Sequence, residues 1–183
     1  MATQGNEMLE TILARRTAHS FQKKEVDDAA IAQLLQMAML APTRLGRRPW
    51  HFIVIRNAES KAKLAALLRL DANLAEAPVF IAVLGEKRIT DAWDLDGGAA
   101  TQNLMVAATA MGLATAWIAS PVNPIWDRLD GELAQLAHIP VEVGLVAILA
   151  VGYPAEPMPA HTEAEVYEQQ RVHFERWGNT LGK

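Results

Sequence analysis

The sequence predicts a three-layer α/β or α+β domain with helices over a mixed sheet. Three observations predict it. Apolar stripes at helical spacing alternate along the chain with short apolar or β-branched runs. Two of those runs, Pro78–Leu84 (PVFIAVL) and Val143–Val151 (VGLVAILAV), are continuously apolar, as strands covered on both faces are. The 183 residues suit one domain at roughly 150 residues per domain, and a chain of this size buries roughly 70% of its surface without staples.

The elements follow in order. Residues 1–6 read as a loose end. Met8, Leu9, Ile12 and Leu13 recur at helical spacing, and Arg15 and Arg16 fall at that helix's C-terminus, where the dipole favours cations. Asp27 or Asp28 can cap a second helix whose stripe is Ile31, Leu34, Leu35, Ala38 and Met39, with Pro42 marking its end. A basic loop, Thr43–Pro49, leads into a strand at Trp50–Arg56. Ser60 can cap a helix reaching Leu70. After the strand at Pro78–Leu84, an Ala-rich helix spans Asp94–Met111, and Gly112 suits its C′ position. Ala114–Ala119 reads as a strand. Asn123 and Pro124 open a helix to about His138. Val143–Val151 is the last strand. Pro154, Pro157 and Pro159 then break the chain before an amphipathic helix from about Thr162 to Trp177. The reading is a single domain over 1–183, with a core at 7–153 and an extended arm with a C-terminal helix at 154–183.

Composition excludes several functions. With no cysteine there is no disulfide, thiolate metal site or cysteine nucleophile. Seventeen basic against 21 acidic residues argue against a nucleic-acid or anionic-membrane partner. The N-terminus has no apolar targeting run, and the longest apolar stretch, Val143–Tyr153, is too short to cross a bilayer. The expectation is a cytoplasmic protein.

Familiar chemical motifs are missing. There is no GxGxxG and no GxxxxGK[ST]. The five histidines show no metal-ligand spacing, so no metal site is expected. No serine sits in a G-x-S-x-G elbow. The concentrated chemistry is cationic: Arg15-Arg16-Thr17 in one place, Arg44, Arg47 and Arg48 in another. Guanidinium forks match phosphate oxygens, and two such clusters in an acidic protein point to an anionic ligand. Trp50, Phe52 and Phe80 read as sheet core.

Arg15-Arg16-Thr17 followed by Phe21, then AxxAPTRLGRRPWHFIVI (Ala38–Ile55), resembles the FMN-dependent nitroreductase family, in its small branch. The likeness continues at WDLDGGAATQNL (Trp93–Leu104), MGLATAWI (Met111–Ile118), AVGYP (Ala150–Pro154) and VHFERWG (Val172–Gly178). No single match is specific; their order and spacing are.

The resemblance implies an α+β homodimer with FMN at the subunit interface and the C-terminal arm packed on the partner subunit. By position, Arg15, Arg16 and Thr17 would hold the phosphate, ribityl chain and pyrimidine edge. His19 stands where a permanent cation is common. Thr43, Arg44 and Leu45 would approach the flavin from the partner subunit, Arg44 making the contact. Trp117, Ile118 and Ala119 would lie along the isoalloxazine ring. The implied activity passes electrons from NADH or NADPH through FMN to an electron-poor small molecule, a nitroaromatic or quinone, in two half-reactions. The flavin does that chemistry, so no catalytic side chain is nominated. The chain departs from the family pattern at Arg47-Arg48, where Asn and Gln are usual, and after Pro154, where His161 replaces a tail cation. A flavin binder without turnover, or another flavin reaction on this scaffold, is the alternative.

Overall fold

A computed structural model describes residues 4–119 and 125–180. Seven helices and four strands are named in chain order: α1 (Gln4–Ala14), α2 (Asp28–Ala38), β1 (Trp50–Ile55), α3 (Ala58–Leu68), α4 (Ala72–Ala75), β2 (Val79–Glu86), α5 (Trp93–Ala110), β3 (Ala114–Ala119), α6 (Trp126–Ala137), β4 (Val143–Gly152) and α7 (Glu163–Val166).

The strands form one sheet in the order β1-β2-β4-β3. Every pairing is antiparallel. This corrects the expected mixed sheet. The helical crossover from β2 to β3 does make those two strands parallel, but β4 inserts between them and pairs with both. Among the described residues the parallel component is a single bridge, Thr17 to Thr115.

The period-two alternation of β2 builds two cores. Phe80, Ala82 and Leu84 face α3 and α6, against Leu64, Leu129 and Leu133. Val79 and Ile81 face α2 and α5, against Ile31, Leu34, Leu104 and Met105. Phe80 is 0% exposed and Trp50 is buried, so the aromatic core reading holds for both. α1 packs outside α5, leaving Met8, Leu9 and Ile12 exposed. Among the described residues, no helix is long and apolar enough to cross a membrane.

A bulge ties the sheet to α5. Val83 pairs with Ala147 and Leu84 with Leu145, so Val146 is the extra residue. A Cβ on Gly97 would lie 2.7 Å from Val146 Cγ2. The glycine is therefore space for the bulged valine. Gly97→Ala should destabilise the fold by about 1–3 kcal/mol through overpacking, and Val146→Ala should return most of that loss. Chemical denaturation of the single and double variants checks it; additive losses would mean the two residues do not share that space.

Local signals explain the boundaries. Asp27 is the α2 cap, its carboxylate accepting from the Ala30 amide at 2.7 Å. Asn57, not Ser60, caps α3, accepting from the Ser60 amide at 3.0 Å; an Asn one residue before Ala58 takes the role. Gly112, at φ +71°, ends α5 as expected. Gln4 to Asn6 are helical rather than loose. The helix opening at Asn123-Pro124 falls outside the described residues; the helix that reaches Ala137 is described from Trp126. The expected helix from Thr162 to Trp177 is not formed. It is one turn, α7, then a 3-10 turn at Gln169–Arg171, with Val172 extended. Val166, Tyr167, Phe174 and Trp177 would share one face of a continuous helix, but all four are exposed in this chain, and a helix gains most of its stability from burying such a face.

Candidate functional site

Arg15 to Gln22 leaves α1 and runs along the sheet end. The Ala18 amide donates to Thr115 O at 3.0 Å, and the Gln22 amide to Tyr153 O at 2.9 Å. Phe21 bridges Pro154. Buried Ala18 and Phe21 anchor this segment. Alternation then turns Thr17 and His19 outward. Arg16, Thr17 and His19 line a cavity of about 310 Å³ with Pro154, Glu156 and Met158.

The two arginines differ. Arg16 Nε donates to Pro159 O at 2.8 Å, and its Nη2 to Ala160 O at 3.3 Å. These bonds go to the arm, not to the end of α1. At the end of α1 the Leu13 carbonyl is met by the His161 amide, which donates to it at 2.8 Å. Arg15 is half-buried, and its guanidinium makes no hydrogen bond or ion pair among the described residues. Near Arg16, the Thr162 backbone amide and hydroxyl hold the Glu165 carboxyl below the usual range, with Arg16 and His161 adding to the effect.

The Thr17–Thr115 bridge brings this segment beside β3. Two residues beyond Thr115, Trp117 is 39% exposed, and its Nε1–H donates to Ala119 O at 2.7 Å. Trp117 pairs with Leu149 and Ala119 with Ile148, so Ile118 is a second bulge. Ala119 is buried and Ile118 half-buried. Thr115 Oγ1 is buried without a hydrogen-bond partner. Guanidinium, hydroxyl, imidazole and a half-open ring thus converge at one sheet edge. That set suits a flat aromatic ligand carrying an anionic group.

Thr43, Arg44 and Leu45 are not part of this cluster in the single chain. Arg44 and Leu45 line a different cavity, with Lys87 to Asp91, and Thr43 precedes them in the same loop. Arg44–Gly46 forms a 3-10 turn in which Leu45 adopts φ 54°, ψ 24°. Leu45 is 79% exposed, and a left-handed leucine costs about 1–2 kcal/mol. The surroundings impose it. Asp96, 6% exposed, accepts from the Arg44 amide at 3.0 Å through Oδ1. The Arg44 guanidinium pairs with Asp91. Arg47 Nη1 donates to Ile89 O at 3.0 Å, and the Arg48 amide to Thr43 Oγ1 at 3.2 Å.

Sequence reasoning missed Asp91 and Asp96 as the carboxylates that hold this loop. The only signal was two acids flanking a tryptophan at a helix start. It also missed Lys87 and Arg88, which the turn after β2 carries to the same cavity.

The likeness to known proteins runs the length of this architecture. A model described as "Nitroreductase family" matches residues 12–71 and 65–153. A Methanothermobacter thermautotrophicus protein named "Putative NADH dehydrogenase/NAD(P)H nitroreductase" is 34% identical over 93% of this chain and 88% of its own. A Parabacteroides distasonis structure of the same name superposes with a TM-score of 0.84 at 30% identity, covering 94% of this chain and 99% of its own. A Desulfovibrio desulfuricans protein solved in complex with FMN gives 0.73 at 28% identity, covering 87% and 94%. The family model spans the four strands, the helices from α2 to α6 and both cationic clusters, and with a relative 34% identical over 93% of this chain the chain belongs to the nitroreductase family.

Proposed function

We propose that the chain is an FMN-dependent oxidoreductase that takes electrons from NADH or NADPH and passes them to an electron-poor acceptor, a nitroaromatic or a quinone. The observation that carries this is the Thr17–Thr115 bridge, which sets Arg15 to His19 beside the half-exposed ring of Trp117. FMN in the Desulfovibrio desulfuricans relative supports the cofactor.

The residues fit that cofactor. Arg15, with its unspent guanidinium, would hold the phosphate. Thr17, and Thr115 with its orphaned hydroxyl, would offer hydroxyls to the ribityl chain. His19 would face the pyrimidine edge. Trp117, Ile118 and Ala119 would lie along the ring. FMN, when bound, supplies the redox chemistry, taking a hydride from the donor and giving two electrons to the acceptor in a second half-reaction. The chain's own work is to grip, orient and leave one face open, and no side chain is assigned as acid or base.

The site needs a second copy of the chain. Met8, Leu9 and Ile12 on α1, Leu95 on α5 and Trp177 on the arm are exposed apolar residues, and Leu45 projects from a loop that meets no flavin segment of its own chain. A homodimer covers these faces and carries that loop to the partner's flavin. Light scattering should give twice the 20.0 kDa chain mass, and Leu9→Glu should yield monomers that lose flavin. A monomeric parent at micromolar concentration would reject the dimer.

An absorbance scan of purified protein followed by anaerobic NADH or NADPH tests the activity. Flavin absorbance that bleaches on donor addition is expected. Colour without bleaching would mean a flavin binder without turnover.

A further inference from the structure

The second cavity, about 330 Å³, is lined by Arg44, Arg47, Lys87, Arg88, Thr90 and Asp91 among others. Four cations stand there against one carboxylate, in a protein of net charge −4. Asp91 is committed to Arg44. Glu142 approaches Arg88 from outside the cavity, at 3.5 Å from Nη1. That leaves donors unused. Arg47 spends Nη1 on Ile89 O, keeping Nε and Nη2. Arg88 keeps the rest of its fork on a side chain that is 72% exposed. Lys87 Nζ stands 5.6 Å over the Trp93 ring.

We propose that this cavity binds the 2′-phosphate of NADPH and makes NADPH the preferred electron donor. The charge count selects the ligand. A phosphate monoester carries close to two negative charges near neutrality, as phosphorylated side chains do. Each phosphate of a dinucleotide's pyrophosphate bridge carries one. Arginine forks beside such a phosphate are the general solution for telling NADP from NAD. Position supplies the second argument. Arg44 and Leu45 belong both to this cavity and to the loop that reaches the partner's flavin in the dimer proposed above. The donor's adenosine end would therefore rest on one subunit while its nicotinamide meets the flavin of the other. The assignment rests on the oxidoreductase reading.

Calorimetry with NADP+ and NAD+ on the flavin-loaded protein tests it without turnover. NADP+ should bind about tenfold more tightly than NAD+, the low end for hydrogen bonds to a charged group because the site is open to solvent. The gap should shrink as salt is raised. Arg47→Ala with Arg88→Ala should abolish it, and Arg47→Lys with Arg88→Lys should keep most of it. Arg88→Gln alone, at an exposed side chain, should lower NADP+ affinity and spare NAD+; it serves if the double variant fails to fold. Equal affinity for the two nucleotides in the parent overturns the proposal, as does a preference that survives in the double alanine variant. Anaerobic bleaching separates the two ideas. NADP+ preference without bleaching by either donor would sink the oxidoreductase reading and leave the phosphate site standing. Bleaching with no preference would do the reverse.

Discussion

Arg15→Ala should weaken FMN binding by about 10- to 150-fold, which is about 1.5–3 kcal/mol for a hydrogen bond to a charged group. Fluorescence titration of FMN into the apo protein reads it directly. The expectation follows from how the two adjacent arginines are used. Arg16 donates to Pro159 O and Ala160 O, so its guanidinium already serves the arm. Arg15 is half-buried at the end of α1 with no protein partner among the described residues. A cation held there is poised for an external anion. The melting temperature of the apo protein should move little, because no hydrogen bond is lost. Arg16→Ala should instead loosen the arm, weakening FMN through the cavity wall rather than through the phosphate. Unchanged FMN affinity in Arg15→Ala would return this residue to a charge at a helix end, favourable to the dipole and nothing more.

Phe80→Ala should destabilise the apo fold by about 3–5 kcal/mol, the range for deleting a buried ring and leaving a cavity. Phe80 is 0% exposed and packs with Leu64, Leu129 and Leu133 between the sheet and the α3–α6 layer. β2 is flanked by β1 and β4, so neighbouring strands cannot collapse freely into the space. Urea denaturation measures the loss. Trp117→Ala provides the contrast: with Trp117 39% exposed, the apo fold should suffer far less, while FMN affinity falls. If Trp117→Ala proved as destabilising as Phe80→Ala, Trp117 would be core and its place along the flavin would fail.

Much of the fold is legible in the sequence alone. The Ala114–Ala119 strand matches its observed span, and Val143–Val151 falls one residue short of Gly152. Both are dense apolar runs bounded by turn residues. α2 was legible because its stripe and the Asp27 cap agree. What failed depends on information that does not lie along the chain. Strand direction in the sheet is set by β4 inserting between β2 and β3, which no local pattern encodes. α4, four residues capped by Asp71, is too short to show periodicity. The arm was read as an amphipathic helix, yet the face its apolar residues would form is left exposed in this chain, and whether a face is covered does not show in its spacing. At the site, the Arg15–Thr17 and Trp117 neighbourhoods are joined by one backbone bridge that the family order implied and composition could not. Asp96 was visible only as a residue in a motif; that its carboxylate clamps the Arg44 amide 52 positions away in sequence is a matter of tertiary packing.

The root of the arm has a consequence for how the molecule opens. The Leu13 carbonyl at the end of α1 is satisfied by the His161 amide, and Arg16 holds the two residues before it. Helix and arm therefore finish each other's hydrogen bonding across nearly 150 residues of chain. Neither end can peel away alone without stranding the other's polar groups. They form one cooperative unit of local unfolding, and its amides should exchange with solvent together, at a free energy below that of the central strands. A protease that finds the arm detached would find the N-terminal helix fraying in the same event.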